Sequence, residues 1–368
     1  MSDLSEQVRG LLEDLVASGS ENGLQAAVYH RGELVAEAVA GVADPATGRP
    51  VTPDTIFYAA STAKGVAATV VHVLAERGAL DYDTRIAELW PEFGAHGKDR
   101  ATVRDALTHS AGVPALPTDL TVGTFTDWDA MCEVIAGLEP RWVPGERSGY
   151  HPITFGFLLG EIVRRVTGKP ISQVLAEEVA GPLGVAGELY FGVPESAHAR
   201  LARFADDPAG VAMFASVAGD LPLFNAGPPA LTPRAELAND VRLLSADAPS
   251  WGVLSARAVA RMYAALLDPV DGVRLVSPER LTAVTTVATS GVDEMTGAPA
   301  SYGLGYTVGT IGQAPATPTT FGMVGVGGSA AYANTATGIT VALTKNRFNP
   351  VEINAYERVH ALAVAELT

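Results

Sequence analysis

Cysteine is nearly missing from this 368-residue chain, which contains only Cys132. A single cysteine excludes an intrachain disulfide and a cysteine-rich metal site. The chain also lacks any stretch of about eighteen uninterrupted apolar residues, so an ordinary transmembrane helix is not predicted. Its first residues, Met-Ser-Asp-Leu-Ser-Glu, are acidic and have no apolar core. We therefore expect no secretory signal and a cytoplasmic protein, unless a leader has been removed.

Positive charge is scarce as well. The chain has 25 Lys and Arg against 41 Asp and Glu, a formal net charge of −16. The resulting field repels polyanions, so nucleic acid and anionic membrane surfaces are poor partners. The histidines form no His-x-x-x-His pair and no His-Glu-x-x-His motif, which argues against a metal site. The glycine-rich stretch at 322–328 is not followed by Gly-Lys-Ser/Thr, so no phosphate loop and no cofactor are predicted.

Hydrophobic periodicity divides the chain into helical and extended parts. Apolar residues recur at helical spacing over residues 4–18, 61–77, 127–138, 153–168, 257–268 and 351–366. Strand-like patterns cover residues 24–42, 301–309, 328–335 and 338–346. The pairs Arg31-Gly32 and Thr337-Gly338 are typical of hairpin turns.

Strands at both ends of the chain with helices between them predict an α+β protein, an α/β sandwich with an antiparallel sheet. We expect this sheet to form from residues of about 24–60 and 300–346 and to be flanked by the terminal helices. Residues 1–80 together with 246–368 should make the sheet lobe, and residues 81–245 a mainly helical lobe. The active site should lie between the lobes, with Ser61 at its floor.

The stretch Ala-Ser-Thr-Ala-Lys-Gly, residues 60–65, places a serine and a lysine three residues apart where a helix begins. Ser61 is then near unpaired amides at the positive end of the helix dipole, and Lys64 projects from the same face one turn later. If buried, Lys64 loses its proton readily and can activate the serine without a histidine. By itself the pattern also fits an N-cap serine followed by a solvated lysine.

Three further segments carry candidate site residues. Gly149-Tyr150-His151 precedes an apolar helix, and a tyrosine there can hold a proton near the Ser–Lys pair or simply pack in the loop. Glycines from Gly325 to Gly328 enter a strand, where they permit either close approach of a substrate or a tight turn. The third segment, LTHSAGVP at 107–114, can be purely structural. Within it, Thr108-His109-Ser110-Ala111-Gly112 partly matches the Gly-x-Ser-x-Gly nucleophile elbow of α/β-hydrolases. That elbow must follow a buried strand and open a helix, whereas this segment follows a helical pattern and runs into Pro114.

Taken together and in order, these segments resemble the serine β-lactamase-like superfamily, especially its class C branch with family VIII carboxylesterases and the related D-aminopeptidases and acyltransferases. FYAASTAKG (57–65) resembles the nucleophile segment, and PGERSGYHPITFGFLLGEIV (144–163) the tyrosine segment. LTHSAGVP resembles the family's LLTHTSGLP segment, and FGMVGVGGSAAYANTATGITVALTKN (321–346) resembles the glycine-rich strand region of the esterases. The resemblance implies that Ser61 is the nucleophile, Lys64 the general base and Tyr150 a proton-relay partner. The amides of Ser61 and Val326 would form the oxyanion hole. Gly325, Gly327, Met323, His151 and Trp251 complete the candidate substrate-binding set.

Two departures from the family pattern bear on the substrate. Met323-Val324-Gly325 stands where relatives acting on β-lactams or cell-wall peptides carry Lys-Thr-Gly, and Tyr150-His151-Pro152 replaces Tyr-x-Asn. The chain thus lacks a carboxylate-binding lysine and an amide-gripping asparagine. Both changes favour a small-molecule ester or thioester with an apolar part.

The expected function is therefore that of a serine hydrolase, most simply a carboxylesterase. Transfer of the acyl group to another nucleophile, or a catalytically silent relative that binds a ligand in the same cleft, are the alternatives. The sequence does not determine the acyl group, the acceptor or the oligomeric state.

Overall fold

The fold is that of a computed structural model, which describes residues 3–219 and 221–368. Its strands are β1 (Gly23–His30), β2 (Glu33–Asp44), β3 (Arg49–Pro50), β4 (Phe57–Tyr58), β5 (Leu189–Tyr190), β6 (Ala205–Asp206), β7 (Val253–Leu254), β8 (Thr289–Val292), β9 (Pro299–Tyr302), β10 (Thr307–Val308), β11 (Thr310–Ile311), β12 (Ala314–Pro315), β13 (Thr320–Val324), β14 (Ala330–Asn334), β15 (Ile339–Lys345) and β16 (Arg347–Phe348).

The α-helices are α1 (Asp3–Ala17), α2 (Thr62–Glu76), α3 (Ile86–Leu89), α4 (Val103–Leu107), α5 (Val122–Thr126), α6 (Trp128–Ala136), α7 (Thr154–Thr167), α8 (Ile171–Leu175), α9 (Pro208–Ala218), α10 (Ala235–Ala238), α11 (Val241–Ser245), α12 (Ala256–Leu267), α13 (Pro278–Thr285) and α14 (Asn354–Leu367). A π-helical turn spans Ala176–Ala180, and 3₁₀ segments span Pro91–Gly97, Glu195–Arg200, Pro222–Asn225 and Pro229–Leu231.

Nine strands form one antiparallel sheet in the order β3-β2-β1-β15-β14-β13-β10-β9-β8. The N-terminal strands therefore lie directly beside the C-terminal ones, as the sequence predicts. Positive φ angles at Arg31 (50°), Gly32 (84°) and Gly338 (74°) make the two expected hairpin turns. The antiparallel α+β fold is confirmed.

Each face of the sheet is covered by helices. Successive side chains of a strand point to opposite faces. In β1, Ala26 and Val28 accordingly pack in the cluster under α1 and α14, whereas Ala27 and Tyr29 pack in the cluster around α2 and α12. The terminal helices thus share one face of the sheet, and α2, which carries the Ser-x-x-Lys motif, lies against the other.

Two predicted boundaries of the sheet are wrong. Phe57–Tyr58 belongs to a separate three-stranded sheet in the order β4-β7-β5. The predicted strand 301–309 is broken into β9 and β10, because Gly305 has φ +83° and the Gly303 amide donates to the carbonyl of Tyr306 to make a tight turn. The sheet then extends to β8, before residue 300.

The mainly helical residues 81–245 share a hydrophobic core with the face of the sheet that packs against α2 and α12. The larger cluster of buried side chains runs from Ala27 to Phe348 and includes residues on both sides of positions 80 and 245. The division into two lobes at those positions stays a prediction. Within residues 3–219 and 221–368, no helix is long and apolar enough to cross a membrane.

Candidate active site

A strained turn before α2 places Ser61 at the N-terminus of the helix. Ala60 has a φ of +46°, a conformation that is costly for a residue with a side chain. The Ser61 hydroxyl makes no capping hydrogen bond to its own helix. Its half-buried side chain lines the main cleft instead. The hydroxyl is therefore not engaged in capping α2 and is accessible from the cleft.

Lys64 is buried because α2 is packed on all sides, with every residue from Thr62 to Ala75 buried. Its Nζ lies 3.0 Å from Ser61 Oγ, 2.7 Å from the carbonyl oxygen of Pro152 and 2.9 Å from that of Ser250. Among the described residues no carboxylate pairs with it. Burial lowers the pKa of Lys64 to about 7. Sequence reasoning missed the two carbonyls, which have no signature in a sequence.

Tyr150 lies over the same pair. The Lys64 Nζ is 5.2 Å from the centre of its ring, and the residue lines the cleft beside Ser61. Burial raises the pKa of Tyr150, and a hydrogen bond with the Ser61 hydroxyl opposes that shift more weakly. At neutral pH the cleft thus holds a neutral phenol next to an amine that readily loses its proton.

Asp293 supports Tyr150 from behind. Its Oδ2 accepts a hydrogen bond from the Tyr150 amide at 2.8 Å and another from the Tyr302 hydroxyl at 3.0 Å. Sequence reasoning also missed this residue, which is 143 positions from Tyr150. No motif in the loop between β8 and β9 points to it.

The glycine-rich turn after β13 is pressed against the nucleophile segment. A Cβ on Gly325 would lie 2.1 Å from the carbonyl oxygen of Ala59, so only glycine fits. The Thr62 hydroxyl donates to the carbonyl of Ser329 at 3.0 Å and ties α2 to the far end of the turn. The turn and the start of α2 thus form one unit.

The amides proposed for the oxyanion hole belong to this unit. Ser61, Gly325, Val326 and Gly327 all line the cleft. Among the described residues, no protein acceptor pairs with the backbone amide of Ser61 or of Val326. Two free amides at a helix start and an adjacent turn suit a developing oxyanion.

The cleft itself has a volume of about 790 Å³. Apolar side chains make most of its walls, among them Tyr58, Phe214, Leu223, Phe224, Leu231, Trp251, Met323 and Val351. Within the described lining, Glu352 and Glu357 are the only Asp, Glu, Lys or Arg residues. A cleft of this size holds a drug-sized molecule, and its described lining includes no Lys or Arg to bind a carboxylate.

Met323 and Trp251 are both brought to the cleft. Met323 lies in β13 and is 2% exposed. Trp251 packs edge-on against Tyr58 and at 4.8 Å from the ring of Phe125. Both side chains line the cleft and are otherwise buried in its wall.

His151 is not brought to the cleft. It is buried, and backbone groups use both ring nitrogens: Nε2 accepts from the Val113 amide at 3.1 Å, and Nδ1 contacts the carbonyl of Gly149 at 2.6 Å. Burial lowers its pKa to about 3, so the ring is neutral. The sequence predicts His151 in the substrate-binding set, but it does not line the cleft and backbone groups bind both of its ring nitrogens.

Ser110, the competing serine, lies elsewhere. It is buried, and its hydroxyl contacts Thr108 Oγ1 at 2.8 Å and Asp105 Oδ1 at 3.2 Å. No histidine ring in the described chain is hydrogen-bonded to it. In residues 3–219 and 221–368, no three His, Cys, Asp or Glu side chains are grouped to hold a metal ion.

The comparison with known proteins decides the family. Residues 8–366 match the profile of the family described as Beta-lactamase. The chain belongs to the beta-lactamase family. This beta-lactamase-family chain is 36% identical over 335 residues to Esterase/beta-lactamase LipL of Mycobacterium tuberculosis, a match that covers 87% of this chain and 76% of the relative.

Solved structures of related proteins support the same family and fold. The crystal structure of a family VIII carboxylesterase matches with a TM-score of 0.86 and 31% identity, over 97% of this chain and 98% of that one. A penicillin-binding protein homologue from Caulobacter crescentus matches with a TM-score of 0.83 and 32% identity, over 100% and 98%. The family resemblance and the β-lactamase/transpeptidase-like fold expected for this beta-lactamase-family protein are confirmed.

Proposed function

We propose that this hydrolase of the beta-lactamase family is a carboxylesterase that works through an acyl-serine at Ser61. One observation carries the proposal: Lys64 Nζ lies 3.0 Å from Ser61 Oγ, and burial brings the pKa of that amine to about 7. The esterase names of LipL and of Esterase EstB from Burkholderia gladioli, which is 29% identical over 44% of this chain, support the same class.

The hydrogen bonds of Lys64 favour its role as the base. A neutral amine has two N–H bonds and one lone pair. The carbonyl oxygens of Pro152 and Ser250 can only accept, so they take both N–H bonds. The lone pair is then left for the Ser61 hydroxyl, which donates to Nζ. The neutral form of Lys64 is thus oriented to remove the proton of Ser61.

The remaining residues serve the later steps. As Ser61 Oγ bonds to the ester carbon, its proton passes to Lys64, and the amides of Ser61 and Val326 receive the negative oxygen. The leaving alkoxide departs with a proton from Tyr150, which regains one from the Lys64 ammonium. Water then attacks the acyl-serine by the same route in reverse and releases the acid.

The cleft supports an uncharged, apolar ester or thioester as substrate. Phe214, Leu223, Phe224 and Leu231 offer an apolar wall, and Met323 occupies the position of the usual lysine. Glu352 and Glu357 repel a substrate carboxylate. A reactive ester needs mainly a nucleophile and an oxyanion hole, and the Ser61 hydroxyl with the unpaired amides of Ser61 and Val326 supports both roles.

Acyl transfer is the second candidate. It uses the same residues and differs only in the nucleophile that reaches the acyl-serine. A cleft of about 790 Å³ exceeds what water requires and leaves room for an alcohol or amine beside the acyl group. A catalytically silent relative is a weaker reading, because Ser61, Lys64 and Tyr150 retain a reactive arrangement.

Covalent labelling tests the proposal. The wild-type protein, Ser61→Ala and Ser110→Ala are treated with a fluorophosphonate, and intact mass and peptide mapping locate the adduct. We expect one adduct, on Ser61, that is absent from Ser61→Ala and present in Ser110→Ala. The same three proteins are assayed with p-nitrophenyl butyrate, with and without added alcohol or amine. Turnover by Ser61→Ala at the wild-type rate would contradict the acyl-serine, and acylated acceptor among the products would favour transfer.

A further inference from the structure

We propose that Asp293 is a positioning residue that holds Tyr150 as the proton donor to the leaving group. The inference rests on the proposed acyl-serine chemistry and adds a residue that the chemistry itself does not require. The juxtaposition that carries it is a buried carboxylate bound to the backbone of the tyrosine that faces Ser61.

Asp293 is fully bound by hydrogen bonds. It is 1% exposed. Its Oδ1 accepts from the amides of Met295 and Thr296, both at 2.9 Å, and its Oδ2 accepts from the Tyr150 amide and the Tyr302 hydroxyl. No Arg or Lys in the described chain forms an ion pair with it. Its charge is thus held by neutral donors, and one of them is the backbone of Tyr150.

The loop that carries Asp293 is itself fixed to the tyrosine loop. The Glu294 amide donates to the carbonyl of Ser148 at 3.1 Å. Gly149 faces this loop so closely that a Cβ would lie 3.1 Å from Glu294 Cβ and 3.2 Å from Met295 Cγ. The β8–β9 hairpin therefore sets the position of Tyr150 relative to Ser61.

The charge of Asp293 also acts on the phenol. Burial is the main cause of the raised pKa of Tyr150, and the Asp293 charge adds to it by opposing formation of a tyrosinate. A neutral phenol beside the low-pKa amine of Lys64 separates the two roles, with the amine as base and the phenol as acid. Removing the charge would lower the pKa of Tyr150 and make the phenol an intrinsically stronger acid. The loss expected on removing Asp293 therefore comes from displacement of the phenol and not from a change in its acidity.

The dependence of kcat/KM on the leaving group distinguishes a role in proton donation from a merely structural role, which would affect all esters alike. An alkoxide needs a proton as it departs, whereas p-nitrophenolate leaves without one. We compare kcat/KM for ethyl butyrate and p-nitrophenyl butyrate in wild-type enzyme and Asp293→Asn. We expect the ethyl ester to lose about tenfold or more beyond any loss with the aryl ester, since a misplaced acid forfeits that much. Equal losses with both esters, or none, would overturn the proposal.

Two controls separate this outcome from damage to the fold and from failure of the proposed function. Glu294→Gln removes the neighbouring charge, which is exposed and paired with Arg147. It should leave unchanged the ratio of kcat/KM for ethyl butyrate to kcat/KM for p-nitrophenyl butyrate. In a Tyr150→Phe background, Asp293→Asn should change the ratio little further, because it acts through the missing hydroxyl. An undiminished effect there would contradict the proposal. Titration of the active serine with fluorophosphonate corrects each rate for folded enzyme, and absence of labelling at Ser61 in the wild type would instead refute the acyl-serine.

Discussion

The backbone of Gly325 faces the carbonyl oxygen of Ala59 so closely that a Cβ would lie 2.1 Å from that oxygen. This contact joins the turn that presents the Val326 amide to the segment that presents Ser61. The proposed oxyanion hole and the proposed nucleophile are therefore positioned by one local packing relationship between the end of β13 and the start of α2.

Gly325→Ala should separate these two elements. The added methyl group meets rigid backbone, so the turn must move and the Val326 amide with it. Because one oxyanion donor is worth about 100-fold in turnover, we expect a loss of up to that size in kcat for p-nitrophenyl butyrate. Gly10→Ala is the matched control. It lies in α1 with nothing within 4 Å of the new Cβ and should raise stability slightly, by about 0.5–1 kcal/mol, at unchanged kcat. An unaltered kcat in Gly325→Ala would contradict this account of the turn.

Activity should depend on the protonation of Lys64. Its pKa of about 7 means that the ammonium dominates below neutral pH and cannot accept the Ser61 proton. We therefore expect kcat/KM for a neutral ester to rise with pH through about 7 and then level off. The observed pKa belongs to the coupled Ser61, Lys64 and Tyr150 group. A flat profile, with chemistry shown to limit the rate, would count against Lys64 as the base.

Lys64→Ala and Tyr150→Phe should each lower turnover by about 100-fold or more, because positioned acid–base groups commonly contribute that much. Steady-state kinetics with p-nitrophenyl butyrate measure the loss, and thermal unfolding checks that each variant is folded. Wild-type turnover in folded Lys64→Ala would remove the lysine from the mechanism.

Substrate choice should follow from Met323 and the charges of the cleft. We expect ester or thioester turnover to exceed nitrocefin turnover by several orders of magnitude, and D-Ala-D-Ala peptides not to be cleaved. Met323→Lys should improve the KM for carboxylate-bearing esters without helping neutral esters of the same size. Steady-state kinetics on such a matched pair provide the measurement. Nitrocefin turned over as well as esters would show that Met323 and Pro152 do not restrict the substrate.

The apolar wall should select larger acyl groups. Phe224 packs edge-on against Phe214 with 4.7 Å between ring centres, and both line the cleft. Phe224→Ala should raise KM for p-nitrophenyl hexanoate by about tenfold, since burying a large apolar side chain is worth about 1.5–3 kcal/mol and part of that contact is lost. KM for the acetate should change little, and Phe224→Leu should fall between. An equal change for both esters would place Phe224 outside the acyl site.

Local patterns in the sequence were enough for the parts of the fold that depend on neighbouring residues. The helical start at Thr62, with Ser61 before it, follows from apolar periodicity, and the hairpin turn at Arg31-Gly32 follows from the need for positive φ. The antiparallel sheet follows from strands at both termini. The break of the strand at Gly303–Gly305 was missed, because a glycine within a strand pattern is compatible with either a bulge or a turn.

The sequence by itself determined the pairing of Ser61 with Lys64, since residues three apart in a helix share a face. Only the tertiary structure decided the chemistry of that pair. The carbonyls of Pro152 and Ser250 that orient Lys64 lie 88 and 186 positions away. Desolvation, which sets its pKa, comes from packing on every side of α2. The burial of His151 and the support of Tyr150 by Asp293 are likewise contacts between distant segments. Periodicity and turn chemistry report on neighbours along the chain, whereas burial and electrostatics depend on which distant segments meet.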